Sequence, residues 1–302
     1  MEYSDLQDGA FKEKSRVAFG FFDGLHLGHK AVIDRLHDHD AQVPVVLSFE
    51  ETEAPVIYTE YEKKYLLRQF GIDKSFSMRS EVLKDMCAEA FAREILFEKL
   101  HAASVVVGEN LSFGRDGKGA KELVEYGKKY GFSVDVVPVV RVDGEIVSAD
   151  AVKRAIRDCD FPKMERLLGH TYVIIGKIVH GKAQGHRHGM PTANLAPAAN
   201  KLFPPYGVYA TLSGFDGTLY RGLTNIGLRP SVDASPIPTV ETLLLNFSES
   251  IYDQEVVLEL HAYIRGIMKF AGGLEDVRKQ IDKDLIKANA FFGQLPARMQ
   301  RC

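Results

Sequence analysis

Residues 20–29 read Gly20-Phe21-Phe22-Asp23-Gly24-Leu25-His26-Leu27-Gly28-His29. The apolar run Arg16 to Phe22 leads into them, and Lys30 to Leu36 follows with Val32, Ile33 and Leu36 at helical spacing. A short apolar run predicts a buried strand and the helical spacing predicts a helix, so the stretch is the turn between the two. In an open α/β sheet such a turn lies beyond the carboxyl end of a strand, where ligands bind. The helix N-terminus there offers free N–H groups and a positive dipole end to phosphate. Gly24 and Gly28 let the backbone approach closely. His26 and His29 are three apart and can face the same phosphates. As imidazolium they would steady the charge on a leaving pyrophosphate. One histidine in a turn is ordinary; the whole string after a strand predicts nucleotide binding.

Outward from that turn, the first half alternates strands and helices. Val43 to Phe49, Ser104 to Gly108 and Ser133 to Val140 read as strands. Thr59 to Phe70, stopped by Gly71, and the longer Glu81 to Leu100 read as helices. This alternation predicts a parallel sheet covered on both faces. A connecting helix is expected over Lys153 to Leu168, with the domain boundary between 155 and 170. The expected division is 1–160 and 161–302.

The second half changes character. Tyr172 to His180, Gly207 to Ser213, Val240 to Phe247 and Glu255 to Ile264 read as strands separated by loops rich in glycine, proline and asparagine. In the last of these, Val256, Leu258, Leu260, Ala262 and Ile264 share one face by period two. That pattern predicts an antiparallel barrel. Leu274 to Phe292 closes it as a helix striped by Leu274, Val277, Ile281 and Leu285. Tyr209 and Phe270 are read as core.

Composition sets limits. The chain has 302 residues, no tryptophan, 45% hydrophobic and 26% charged residues, which is ordinary for a globular protein. At roughly 150 residues per domain, two domains are expected. A net charge of −3 gives no electrostatic footprint for nucleic acid or an anionic membrane. Cys87, Cys159 and Cys302 form no Cys-x-x-Cys pair, so neither a disulfide framework nor a thiolate zinc site is implied. Met1 to Lys14 has no apolar signal core, and no uncharged apolar run approaches the ~18 residues of a membrane span. A cytoplasmic location with reduced thiols is expected.

A second constellation lies at 181–195. Gly181, Gly185 and Gly189 recur at four-residue intervals, and Met190-Pro191-Thr192-Ala193-Asn194-Leu195 follows. Glycines free a loop to wrap phosphate with backbone N–H groups. A Thr192 hydroxyl and an Asn194 carbonyl can both reach one Mg²⁺ as hard oxygen ligands. Gly176 to Lys182 is close to a phosphate-binding P-loop, but Ala183 stands where a hydroxyl must reach the metal, and we reject it. His180, His186 and His188, beside Lys182 and Arg187, are read as an anion-binding loop rather than a metal site.

Both constellations resemble one family. His26-Leu27-Gly28-His29 is similar to the His-x-Gly-His signature of nucleotidyltransferases, and Gly108-Glu109-Asn110-Leu111-Ser112-Phe113-Gly114 to a Gly-Glu-(Asp/Asn)-Phe-x-Phe-Gly motif. Gly189 to Asn194 resembles the riboflavin kinase signature Gly-x-Pro-Thr-Ala-Asn, with Met190 at the variable position. Pro205 to Tyr209, Asn225 to Pro230, Thr239-Val240-Glu241, and Arg265 with Lys269-Phe270 also match. The family is the bacterial bifunctional riboflavin kinase/FMN adenylyltransferase, or FAD synthetase. The resemblance implies a Rossmann-like α/β nucleotidyltransferase domain followed by an antiparallel six-stranded-type β-barrel kinase domain. It implies riboflavin, FMN, FAD and ATP as the small-molecule ligands, with Mg²⁺. By carry-over, Glu241 is the base that takes the ribityl hydroxyl proton, Thr192 and Asn194 hold Mg²⁺, and Arg229 steadies phosphate. Asp23, His26, His29 and Asn110 position or stabilise the adenylyl nucleotide.

Three stretches depart from the family pattern. Phe21 stands where the family has asparagine. Phe49-Glu50-Glu51-Thr52-Glu53 replaces Phe-Asp-Pro-His-Pro. Ser148-Ala149-Asp150-Ala151-Val152-Lys153 replaces Ser-Ser-Thr-x-Ile-Arg, keeping only Ser148 and the charge of Lys153 for the phosphates. Two rivals therefore stay open: a riboflavin kinase whose N-terminal domain has lost adenylyl transfer, and a flavin- or nucleotide-binding regulator without turnover.

Overall fold

The computed structural model describes residues 11–39, 41–51, 54–180, 192–228, 238–247, 249–270 and 273–294. The chain forms two compact units. One takes in Met1–Val152 with Leu167–Gly169, the other Lys153–Arg166 with His170–Cys302.

The first unit is built on a parallel sheet of β1 (Ser15–Gly20), β2 (Val43–Glu50), β3 (Lys74–Arg79), β4 (Ala102–Gly108) and β5 (Ser133–Val137). The strand order is β3-β2-β1-β4-β5, so the winding reverses between β1 and β4. Neighbouring Val17 and Ala18 are both fully buried, as a strand covered on both faces requires. One face carries a knot of rings, with Phe19 at 5.0 Å from Phe91, 5.3 Å from Phe113 and 6.0 Å from Phe49. Helix α1 (Leu27–Asp34) follows β1 and ends in a 3-10 turn (Arg35–His37). Helix α2 (Glu60–Gln69) opens with a capping box: Thr59 Oγ1 accepts from the Glu62 N–H and Glu62 Oε2 from the Thr59 N–H.

The helix expected over 81–100 is broken. It forms α3 (Ser80–Asp85), then α4 (Ala88–Ala90), which runs into a π-helix (Phe91–Lys99). Met86 and Cys87 take extended backbone between them. Asp116 Oδ1 accepts from the Ala88 N–H at 2.8 Å, which caps the restart. Helix α5 (Ala120–Tyr130) leads to β5, and a small hairpin, β6 (Arg141–Val142) with β7 (Glu145–Ile146), follows. The single connecting helix expected over 153–168 is also two: α6 (Ala149–Arg157) and α7 (Phe161–Leu168). Cys159 between them takes φ +53°, which no helix continues through.

The second unit is a closed barrel in the order β10-β11-β12-β9-β8-β13. Its strands are β8 (Val173–Val179), β9 (Ala193–Leu195), β10 (Gly207–Phe215), β11 (Thr218–Leu228), β12 (Pro238–Leu244) and β13 (Glu255–Gly266). Strand β11 is absent from the sequence reading. Its signal was present: Phe215 pairs with Thr218 around Asp216-Gly217, at φ +48° and +73°. Asp-Gly between two alternating runs is a strong two-residue hairpin signal. Asn194 lies on β9.

The hydroxyls of Thr211, Thr224 and Thr242 form a buried chain across β10, β11 and β12 with two 2.8 Å links. The opposite faces of these strands carry Val208, Ala210, Leu212 and Leu223, against which helix α8 (Leu274–Phe292) packs Ala288 and Phe292. Replacing the capping hydroxyl, Thr59→Ala, is expected to cost about 1 kcal/mol. A lower midpoint in chemical denaturation of the first unit is the readout, and an unchanged midpoint would show the cap to be dispensable.

Candidate active sites

The loop joining β1 to α1 is held in an unusual shape. Phe22 at φ +48° and Leu25 at φ +42° are left-handed without being glycine, and both are buried. Such residues persist only where their surroundings enforce them. Two clamps do so. Asp23 Oδ1 accepts from the Ile57 N–H at 2.7 Å and the Tyr58 N–H at 3.4 Å. Lys63, only 3% exposed, donates from Nζ to the Phe21 carbonyl at 3.0 Å and Ser48 Oγ at 2.7 Å, and pairs with Glu60. Gly24, at φ +89°, is obligatory: a Cβ there would lie 2.8 Å from Ile57 Cδ1. Lys63 was not singled out in the sequence, because a lysine in a helix first turn carries no local signal.

His26 caps α1, its Nδ1 accepting from the His29 N–H at 3.3 Å. The two imidazoles stack at 3.7 Å between centroids and 14° between planes. His29 also meets the Phe22 ring edge-on at 5.2 Å. Gly28 leaves room for this, since a Cβ would come 3.0 Å from His26 Cε1. That Cβ would be 3.7 Å from the Val147 carbonyl, so residues 147–148 pass beside the first turn of α1. Ser148 Oγ accepts from the Ala151 N–H at 3.2 Å and starts α6. Asn110 is exposed in the turn that follows β4. His26, Gly28, His29 and Ser148 are thus brought together. Asp23 is committed through Oδ1 to the loop clamp. Lys153 lies further along α6, within the second compact unit.

Burial opposes the imidazolium form expected of both histidines. Burial lowers the His26 pKa to about 4, and burial together with the nearby charges of His26 and Lys63 holds His29 well below its ordinary value. At about 4 the His26 pKa leaves that ring neutral at pH 7, burial favours the neutral form of His29 as well, and His29 Nδ1 is buried without a hydrogen-bond partner.

In the second unit, strand register assembles the site. Asn225 of β11 stands directly opposite Glu241 of β12, and Glu241 opposite Asn194 of β9. Asn194 Nδ2 donates to the Thr192 carbonyl at 3.3 Å. A cavity of about 420 Å³ opens over this row, lined by Thr192, Asn225, Glu241, Arg265, Phe270 and Asp284 among others. Arg265 grips the buried Asp284 carboxylate with Nε at 2.9 and 3.1 Å and Nη2 at 2.9 Å. Gln280 Nε2 adds a bond to Asp284 Oδ1 at 2.8 Å. Asp284 and Gln280 were missed: on α8 they are one more polar i, i+4 pair, and only packing brings them to the cavity.

Phe270, read as core, instead lines the cavity, because β13 ends at Gly266 before reaching it. Tyr209 is core as read, fully buried with its hydroxyl donating to the Pro205 carbonyl. His180 stacks on Tyr252 at 3.7 Å. Gly181, Gly185, Gly189, Arg229, His186, His188 and Cys302 lie outside the described residues. Among the described residues, no group of three or more His, Cys, Asp or Glu side chains could hold a metal.

The neutral histidines set a pH dependence. A folded-state His26 pKa of about 4 against 6.5 means that the unfolded chain binds the proton first. This contribution is whole above pH 6.5 and is lost as the pH falls toward 4, up to about 3 kcal/mol. His26→Asn keeps a capping side chain and removes the titration. Its stability is expected to fall less steeply from pH 7 to pH 4.5 than that of the parent chain; equal slopes would remove His26 from the effect.

Residues 9–151 match the family described as FAD synthetase, and residues 168–292 the family described as riboflavin kinase. The chain is 31% identical over 288 residues to the bifunctional riboflavin kinase/FMN adenylyltransferase of Pseudomonas fluorescens, covering 91% of this chain and 92% of the relative. It is 30% identical to that of Escherichia coli strain K12, with 92% of each covered. Its fold aligns with a Streptococcus pneumoniae structure described as a macrolide-efflux protein, with a TM-score of 0.81, 25% identity, and 96% and 98% of the two chains covered. Among the described residues of the present chain, no helix is long and apolar enough to cross a membrane. Two successive family matches and end-to-end likeness to two-domain relatives place this chain in the bifunctional riboflavin kinase/FMN adenylyltransferase family.

Proposed function

We propose that this chain makes FMN from riboflavin and ATP in its C-terminal domain, residues 161–302, and FAD from FMN and ATP in its N-terminal domain, residues 1–160. The observation that carries the kinase reading is the row Asn225–Glu241–Asn194 beneath the cavity, with Thr192 on its rim. Glu241 takes the proton of the ribityl hydroxyl as its oxygen attacks the γ-phosphorus of ATP, and ADP leaves. A Thr hydroxyl, an Asn carbonyl and a carboxylate form a hard oxygen set that suits Mg²⁺. Thr192 and Asn194 would hold that ion, which supplies charge neutralisation on the phosphates when bound. The glycines at 181, 185 and 189 would wrap the phosphates, and Arg229 would steady them. Arg265, locked by Asp284, and Phe270 form the wall facing that row.

In the N-terminal domain an FMN phosphate oxygen attacks the α-phosphorus of ATP, and pyrophosphate leaves. The free N–H groups of α1, with Gly24 and Gly28 allowing close approach, receive the phosphates. His26 and His29 sit at the same end, with Asn110 and Ser148 completing the nucleotide site. Burial favours neutral imidazoles and phosphate arriving beside them favours the protonated form, so ATP binding should strengthen as the pH falls. Asp23 serves through the loop it clamps. The domain acts on small molecules, and a cytoplasmic setting fits those substrates.

The test is chromatographic analysis of products from Mg²⁺-ATP supplied with riboflavin or with FMN. FAD from FMN supports the adenylyl-transfer half of the reading, and FMN from riboflavin supports the kinase half. FMN without FAD leaves a kinase with a retired N-terminal domain, and no product from either flavin leaves a binding protein. Glu241→Gln is expected to lower FMN formation by about 100-fold or more, as loss of a general base does, while flavin still binds. His29→Ala should lower FAD formation and leave FMN formation intact; equal losses would contradict the division of labour.

A further inference from the structure

Phe21 is the residue of the β1–α1 loop that the preceding account leaves without work. Its ring is 45% exposed at the carboxyl edge of the parallel sheet. Isolated exposed apolar side chains are common and need no explanation. This one differs in being held on two sides. Its carbonyl accepts from the buried Lys63 ammonium at 3.0 Å. Its ring stands edge-on against buried Phe49 at 5.6 Å, at 80° between planes. Phe49 in turn rests at 5.9 Å on Phe91, inside the ring cluster of the core. The exposed ring is therefore a fixed surface, and covering it costs little side-chain entropy.

Its place in the sheet selects the occupant. Phe49 belongs to β2, on the side of β1 opposite β4. The histidine pair and Ser148 gather at the first turn of α1, and Asn110 follows β4. In-line displacement puts the attacking and leaving oxygens on opposite sides of phosphorus. With pyrophosphate leaving at the α1 end, an approach from the β2 side, where the Phe21 ring meets Phe49, would keep the attacking flavin phosphate away from the leaving group.

We propose that Phe21 stacks against the isoalloxazine ring of FMN during adenylyl transfer, an inference that rests on the adenylyl-transfer reading above. A planar tricycle gains dispersion and apolar burial on such a face without needing a polar partner. The same ring could in principle carry adenine, the other planar group of the reaction, and the experiment separates the two.

FAD formation is measured with FMN and ATP varied in turn for the parent chain, Phe21→Ala, Phe21→Leu and Phe21→Tyr. Loss of one stacked ring is expected to raise KM for FMN about tenfold in the Ala and Leu variants, with Tyr restoring it. KM for ATP should hold. Riboflavin phosphorylation in the same preparations should also hold, which reports that the protein is folded. A rise in KM for ATP alone would assign the ring to adenine and overturn the proposal, as would unchanged constants in Phe21→Ala. Because the chain has no tryptophan, Phe21→Trp adds a unique reporter. FMN should then produce a long-wavelength charge-transfer absorption that requires ring contact, and ATP alone should not. If the parent chain makes no FAD, the adenylyl-transfer reading fails by itself. The absorption of Phe21→Trp with FMN then still decides whether this ring meets the flavin, and its absence would overturn the proposal.

Discussion

A lysine ammonium buried to 3% exposure can be kept only if its charge is answered, and Lys63 is answered three ways. The Phe21 carbonyl, Ser48 Oγ and the Glu60 carboxylate surround it. One partner is on the β1–α1 loop, one on β2 and one on α2, so a single cation ties three elements at the carboxyl edge of the sheet. Glu60 responds in kind: burial raises its pKa, and the Lys63 charge opposes that rise. Removing the ammonium would strand a carboxylate and release a loop containing two left-handed non-glycine residues. The histidine stack, Asp23 and Phe21 all take their positions from that loop.

The second unit reaches its site by different means. The strand ladder sets the places of Asn225, Glu241 and Asn194. Side chains alternate along a strand, so residues opposite one another in register lie on one face. The threonine hydroxyls of the same strands point the other way and bond among themselves. A slip of one residue would bury Glu241 and expose the threonines. Register and polarity therefore specify the same arrangement.

Legibility in the sequence followed the range of the interactions. The turn at 20–29, the parallel sheet, the barrel class and the helix Leu274–Phe292 could be read because each is encoded by neighbouring residues. Thr192, Asn194 and Glu241 were singled out from contiguous motifs, and strand register sets Asn194 opposite Glu241. The break at Met86-Cys87 could not, since it depends on Asp116, which is distant in sequence. Lys63 and Asp284 were equally hidden: each acquires its role from an element far along the chain. The depressed histidine pKa values were invisible for the same reason, because burial belongs to the fold and not to the motif. Strand β11 is a different kind of omission, as its Asp216-Gly217 turn was open to local reading.

The order of the barrel carries a consequence for its synthesis. β8 pairs with β13, joining residues 173–179 to the stretch near 255–266. The parallel sheet of the first unit has all five of its strands once residue 137 has been made. On a ribosome, then, the nucleotide-binding sheet can form while the barrel is still an open ribbon. β8 must wait, exposed along one edge, for a partner about eighty residues later. The cavity is completed only after the barrel has closed, since α8 and its Asp284 follow β13 in the chain.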